Sequence, residues 1–331
     1  MCKLVVGLDI GRGYTKAVTL GNQVTFPSVL GDAPVITYTN ELAQDKPEYA
    51  TYTYNTHDWF VGHDALKQSK QQITTLSRDA IDTEITEVLL CAAVSQLARL
   101  DNDIDLHLVT GLPVAWYADR YRLVDRLLGA KAFQVNGQWR TIHVRDVLPV
   151  PQPIGAFFCA ILDKDGQLTN DELAKGRVAV IDVGMYTSDY ALSDGLSFIE
   201  KGSGSITDAM STVYTLVGRE IKQEFGLDLT LHGIDEACRT GQVRVYGKSI
   251  NVARLLNRSL VQVWESVKAK AGELWGDARD IDAVIGAGGG MVYFGDWLGA
   301  MYPHVIRANG TDVAMTNADG FYKYAVRKFA A

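Results

Sequence analysis

Apolar and polar positions along the chain sort into short strands and amphipathic helices. Lys3–Ile10 is a β-branched, apolar run that carries Asp9 near its end, Tyr14–Leu20 resumes the pattern after a glycine turn, and Gln23–Pro27 supplies a third short strand. Pro34–Gly62 is rich in Tyr, Thr and Asn without a helical period, which predicts strands and loops of a small subdomain over about residues 34–75. The spacing of Ile85, Val88, Leu89, Ala92, Ala93 and Leu97 predicts a helix over Asp82–Leu100 that leads into a strand at Asp105–Thr110. A turn at Gly111-Leu112-Pro113, a helix over Trp116–Leu128 and a hairpin around Asn136-Gly137 follow. Pro149–Pro153 then punctuates the chain ahead of a buried helix at Ile154–Leu162.

The second half repeats the opening order. After the polar excursion Asp163–Gly176, the segments Arg177–Asp182, Thr187–Ser193 and Leu196–Lys201 again read as strand, glycine turn, strand and strand. Helices are predicted from about Ser205 to Phe225, over Ile234–Thr240, from Asn251 to about Trp275 and from about Asn317, with a hairpin at Tyr246-Gly247 and a strand at Ile281–Ile285. Each half thus opens with a hydrophobic strand that delivers an Asp into a glycine turn, and internal duplication is the economical explanation. The class is α/β, with domains expected at 1–151 and 152–331.

Composition narrows the function classes. The 331 residues suffice for two separate cores, and the net charge of −7 without a long Lys/Arg run argues against direct contact with a nucleic-acid backbone. No apolar stretch reaches the roughly 18 residues a membrane span needs. Cys2, Cys91, Cys159 and Cys238 are scattered with no C-x-x-C pair, so buried free thiols are expected rather than disulfides or a zinc site. The first residues reach Asp9 before any signal-peptide apolar region develops, which reads as a cytoplasmic chain.

Three glycine motifs carry candidate chemistry. In Asp9-Ile10-Gly11-Arg12-Gly13-Tyr14-Thr15-Lys16, glycines let backbone N–H groups approach an anion while Lys16 offers a positive charge. Asp182-Val183-Gly184-Met185-Tyr186-Thr187-Ser188-Asp189 repeats the strand-end Asp and adds hydroxyls. Ile285-Gly286-Ala287-Gly288-Gly289-Gly290 ends a strand and opens a helix, a flat surface suited to a purine. Any one of these alone is more often a plain turn, and Asp9 or Asp182 alone a turn cap; it is their order that points to a nucleotide. The Walker pattern is absent, and the first glycine turn returns as a strand where a dinucleotide-binding unit would open a helix. Paired strand-end carboxylates, Asp9 and Asp182, suit the water shell of Mg²⁺.

These three motifs, in this order, resemble the phosphate 1, phosphate 2 and adenosine motifs of the actin/Hsp70/sugar-kinase superfamily. Trp59-Phe60-Val61-Gly62-His63-Asp64-Ala65 and Gly233-Ile234-Asp235-Glu236-Ala237-Cys238-Arg239-Thr240-Gly241 more narrowly resemble the ParM/StbA plasmid-segregation type and its archaeal relatives. The resemblance implies an actin-like fold: two duplicated domains, each a mixed five-stranded sheet flanked by helices, a nucleotide cleft between them, and a C-terminal helix that packs back on the first domain. It implies ATP or ADP with Mg²⁺ held through water by Asp9 and Asp182. Gly11, Arg12, Gly13, Tyr14 and Lys16 would line one side of the phosphates, and Gly184, Met185, Tyr186 and Thr187 the other. Arg219, Glu220 and Gln223 would lie near base and ribose, with Gly286, Gly288, Gly289 and Gly290 against adenosine.

Catalysis would fall to Gln152 with Asp9 and Asp182, Gln152 orienting the attacking water from the connecting segment Pro151–Ala156. The prolines on both sides of Gln152 would make its rotamer depend on hinge closure. Arg12 stands where eukaryotic actins carry a small or hydroxyl residue, and either adds charge toward phosphate or points to solvent. Met185 replaces a small residue of the second clamp. The expected activity is a slow ATPase that polymerises head to tail with copies of itself, with an adaptor protein as the link to DNA and no membrane partner. The competing readings are a small-molecule kinase, which needs a carboxylate base where Gln152 stands, and an ATP-binding scaffold that does not polymerise.

Overall fold

The structure, a computed structural model, describes residues 2–37, 49–75, 77–98, 101–306 and 312–329. The chain packs as two units, Met1–Asn170 with Met315–Ala331, and Asp171–Ala314. In the first, Cys2–Ile10 lies at the middle of a mixed sheet because both its faces are apolar. It pairs antiparallel with Tyr14–Thr19 and parallel with Asp103–Leu112. Asn22–Pro27 extends one side, and the long strand Gln138–Pro151 runs parallel to Asp103–Leu112 with a register shift between Val144 and Asp146. These five strands are the mixed sheet expected of an actin-like domain.

The expected small subdomain is not a separate sheet. Gly129–Val135 pairs with Tyr52–Tyr54, and the ladder runs on through His57–Val61, Val29–Asp32 and Gln72–Thr74, so ten strands are continuous. Residues 38–48 of the Pro34–Gly62 segment, Leu76, and the last two positions of the predicted Asp82–Leu100 helix lie outside the described residues. The helix itself runs Glu84–Leu97 and is buried on nearly every side. Pro113 shapes the start of the next one: a 3-10 turn, Val114–Asp119, precedes the α-helix Arg120–Leu127.

The second unit repeats the design. Arg177–Val183 pairs antiparallel with Ser188–Asp194 and parallel with Ala283–Ala287, with Ser197–Phe198 and Val305–Ile306 at the two edges. Helices Met210–Phe225, Leu231–Thr240, Ala253–Trp275 and Met291–Met301 supply most of the surrounding core. Ser205 belongs to a strand, Gly204–Ile206, and not to the helix predicted from it: this backbone pairs with Ser188–Tyr190, and the Ser205 hydroxyl donates to the Asp189 carboxylate. Leu196–Lys201 is mostly not strand, since a 3-10 turn, Glu200–Gly202, follows Ser197–Phe198.

The unit boundary falls later than residue 151. Gln152–Ile161 packs in the first unit because it crosses the C-terminal helix Thr316–Phe329 glycine on glycine: a Cβ on Gly320 would sit 1.7 Å from the Gly155 carbonyl oxygen. The same C-terminal helix covers Gly7, where a Cβ would lie 2.1 Å from the Tyr322 nitrogen. Asn317 caps the crossing by accepting from the Ala156 N–H at 3.1 Å. Among the described residues no helix is long and apolar enough to cross a membrane; Cys91, Cys159 and Cys238 are buried thiols as expected, whereas Cys2, at the start of its strand, is exposed.

Candidate functional site

Each unit presents one glycine loop at the end of its central strand, and the chemistry gathers there. In the first unit, Asp9 is buried and bracketed by two donors. Gln152 Nε2 donates to Oδ1 at 2.6 Å and Lys16 Nζ to Oδ2 at 3.3 Å. Lys16 reaches Asp9 because the two are register partners on adjacent antiparallel strands and share a sheet face. Gln152 reaches it as the first residue of its helix, with Pro151 as N-cap and Pro153 in the first turn, which fixes the backbone from which the amide projects. With Nε2 committed to Asp9, the amide's other end, Oε1, is the acceptor that remains.

The loop between these strands is partly exposed at Gly11, Arg12 and Tyr14 and buried at Gly13. Gly11 leaves no room for a side chain, since a Cβ there would lie 2.7 Å from the Tyr14 carbonyl oxygen. Arg12 is partly exposed and its guanidinium lies 4.8 Å over the Trp116 ring, a cation–π contact. Trp116 had no signal of its own in the sequence.

In the second unit, Asp182 is buried at the end of its strand, opposite Ala287 in the parallel register. Gly184 N–H donates to the Thr187 carbonyl at 2.9 Å to close the turn, and residues 184–187 are partly exposed between buried strands. Met185 is partly exposed and packs in part on the core of its own unit. The position matching Lys16 is Asp189, which accepts from Ser205. Positive charge therefore stands on the first loop and not on its duplicate.

The third glycine segment is shaped first by packing. Gly288 has φ +84°, and a Cβ there would fall 2.2 Å from Asp182 Oδ1; Gly290 lies against Val183 and donates its N–H to the Val183 carbonyl at 2.9 Å. Gly286 lies beside Leu298 and Met291, while Gly289 is exposed with nothing near its missing Cβ. Of the four, only Gly289 presents the bare surface expected for a purine. Among Arg219, Glu220 and Gln223 on the helix Met210–Phe225, Glu220 is engaged by Arg258 of the neighbouring helix, and Arg219 and Gln223 are exposed. Asp235, inside the Gly233–Gly241 stretch, accepts from the Tyr214 hydroxyl at 2.7 Å. Burial first, and then the Asp235 charge, push that phenol far above its ordinary range, so it remains a donor that ties two helices together.

Residues 7–155 match the family of actin like proteins, N terminal domain, and residues 180–300 match the archaeal actin homologue MreB-like C-terminal family. Both halves of the chain thus match actin-like family models. No curated protein sequence matches this actin-like chain. Solved structures match it over nearly its whole length. The archaeal actin homologue Ta0583 has a TM-score of 0.80 at 18% identity, covering 98% of this chain and 99% of its own. A ParM from a 15-stranded filament of Clostridium botulinum gives 0.79 at 21% identity, with 98% and 99% covered. The apo psk41 ParM protein gives 0.74 at 19% identity, with 98% and 97% covered. At these identities the likeness is one of fold. The mixed sheets flanked by helices in both units are those of the actin-like architecture.

Proposed function

We propose that this actin-like protein is a nucleotide-dependent, filament-forming ATPase, acting in plasmid or DNA segregation or in cytoskeletal positioning through an adaptor. The observation that carries the reading is the Gln152–Asp9–Lys16 group at the first glycine loop. A carboxamide is too weak a base to take a proton, but an amide whose nitrogen is tied to a buried carboxylate presents its oxygen in a fixed direction, and that suffices to orient a water toward a γ-phosphate. Lys16 would neutralise phosphate charge. Turnover by orientation alone is slow, which suits a timer on a polymer.

Each unit also carries a carboxylate that suits Mg²⁺: Asp9 in the first and Asp182 in the second are buried at the ends of their strands. A lone carboxylate suits an ion that keeps its waters and binds mainly phosphate oxygens, whose charge it would neutralise. The Ta0583 homologue has been solved in complex with ADP, and filament structures exist for ParM and Alp12 relatives; these support nucleotide binding and self-association here. A kinase reading is disfavoured by the neutral amide where an acceptor hydroxyl would need a carboxylate.

Sedimentation and light scattering with ATP and Mg²⁺, with a non-hydrolysable analogue and without nucleotide test the proposal, with phosphate release followed in parallel. ATP should give pelletable polymer above a critical concentration. A chain that stays monomeric well into the micromolar range, or phosphate transfer that depends on an added hydroxyl compound, counts against it.

A further inference from the structure

A set of buried hydroxyls lies behind the first glycine loop, and nothing in the reading above uses them. Ser28 is wholly buried; its Oγ donates to the Gly11 carbonyl at 2.6 Å and its backbone N–H to the Gly13 carbonyl at 2.9 Å. Thr75 Oγ1 reaches the same Gly11 oxygen at 3.3 Å. Thr15 Oγ1 lies 2.8 Å from Ser28 Oγ. A hydroxyl has one proton, and that of Ser28 goes to Gly11, so Thr15 is the donor in the second bond. The result is a directed chain, Thr15 to Ser28 to the Gly11 carbonyl.

Peptide planarity converts this into a statement about the loop. The described backbone has no cis bonds, so each carbonyl points opposite to the N–H that follows it. With the Gly11 and Gly13 carbonyls both drawn to Ser28, the N–H vectors of Arg12 and Tyr14 are turned the other way. Thr15 and Lys16 are successive strand residues and face opposite sides of the sheet, so Ser28 pulls from the side away from Lys16 and Asp9. The second unit holds its loop by the same principle with different parts: the Gly184 and Met185 carbonyls accept from the N–H groups of Met210 and Ser211 at 3.3 and 2.6 Å. Both loops are therefore anchored through their carbonyls from behind, by a helix start in one unit and by a serine in the other.

We propose that Ser28 is a positioning residue for polyphosphate binding: it sets the peptide planes of the Gly11–Tyr14 loop so that the loop meets the β- and γ-phosphates of a nucleoside triphosphate. This rests on the nucleotide-binding reading above. Ser28→Ala removes the hydroxyl and keeps the backbone bond; Ser28→Cys keeps the volume with a poor donor, and Thr75→Ala removes the second bond to the same carbonyl. Affinity of the full chain for ATP and for AMP, which lacks the β- and γ-phosphates, is measured by displacement of a fluorescent nucleotide, with melting temperature alongside. Ser95→Ala, which removes a buried helix hydroxyl bonded to the Cys91 carbonyl, is the control.

Ser28→Ala should weaken ATP about tenfold, the equivalent of one buried hydrogen bond to a charged-ligand loop, and AMP by less than about twofold. Ser28→Cys and Thr75→Ala should act in the same direction by smaller factors, and carry the comparison if Ser28→Ala does not fold. ATP affinity within twofold of wild type in these variants, or equal loss of ATP and AMP together with a lower melting temperature, overturns the assignment alone. A wild-type chain that binds neither nucleotide overturns the functional reading and this assignment with it.

Discussion

At Asp9 the two carboxylate oxygens carry different donors, the Gln152 amide on Oδ1 and the Lys16 ammonium on Oδ2, and each makes a separate prediction. Gln152→Ala removes an orienting group that has no part in holding phosphate. Single-turnover phosphate release should fall by roughly 10²-fold with ATP affinity little changed. Gln152→Glu is nearly isosteric but places a second carboxyl within hydrogen-bond reach of Asp9. Two such groups share one proton, so one of them acquires a raised pKa in the folded state. The folded chain then binds more protons than the unfolded one, and stability declines as pH rises from about 4 through the raised value. The melting-temperature deficit of Gln152→Glu against wild type should be small at pH 5 and larger at pH 8; a deficit independent of pH would contradict the contact.

Elements in the first unit are locked by close backbone approach and by ion pairs. The Gly155–Gly320 crossing admits no methyl group, so Gly320→Ala should destabilise by about 3 kcal/mol or more, because the obstructing atoms are backbone and cannot swing aside. For a unit of this size that is a fall of about 6–12 °C in its melting transition. Gly299→Ala is the counter-case: in the helix Met291–Met301 nothing lies near its missing Cβ, and the change should be neutral or stabilising by up to about 1 kcal/mol. The turn Arg78–Asp82 is joined to the helix Arg120–Leu127 and its N-cap Asp119 by Arg78–Asp119 and Arg122–Asp82 pairs, and Arg122 also pairs with Asp119. The Arg78 hydrogen bond first, and then that of Arg122, hold the Asp119 carboxyl below its usual range. A depressed carboxyl stabilises fully above its unfolded pKa and ceases to do so as pH falls through the folded value. Thermal melts between pH 6 and 3 should therefore show a shallower acid-side decline for Asp119→Asn than for wild type.

The same elements show what a sequence can carry. The strand–glycine–strand units at Asp9 and Asp182 were legible because alternation and turn chemistry are local, and Asn136-Gly137 and Tyr246-Gly247 form the predicted hairpins with positive φ at all four residues. Ser205 was misread because its extended form comes from pairing with Ser188–Tyr190, a partner no local pattern names. Gln152 and Lys16 were legible as candidates, but their convergence on Asp9 depends on a contact across 143 residues in the first case. Ser28 carried only a faint signal, a hydroxyl following Pro27 at the end of a strand. Its use depends on where the loop carbonyls point, and that is settled by tertiary structure.

The whole molecule is two units with separate cores, joined by two chain crossings, at Asn170–Asp171 and Ala314–Met315. Separate cores predict that the units unfold as distinguishable calorimetric transitions when no ligand couples them. Each unit carries its own glycine loop, so nucleotide linkage can be read unit by unit. A ligand bound only to the native state of a unit stabilises it by about 2.7 kcal/mol at a hundred times its Kd, a shift of several degrees at this size. If ATP with Mg²⁺ engages the Gly11 and the Gly184 loops alike, both transitions should rise together with nucleotide concentration, and Gly288→Ala, which presses on Asp182 in the second unit alone, should abolish the rise in both. If the first loop alone binds nucleotide, only the first unit's transition moves and Gly288→Ala leaves that movement intact. A scan of wild type and Gly288→Ala with and without ATP separates the two cases, since a one-unit ligand cannot raise the stability of a unit it does not touch.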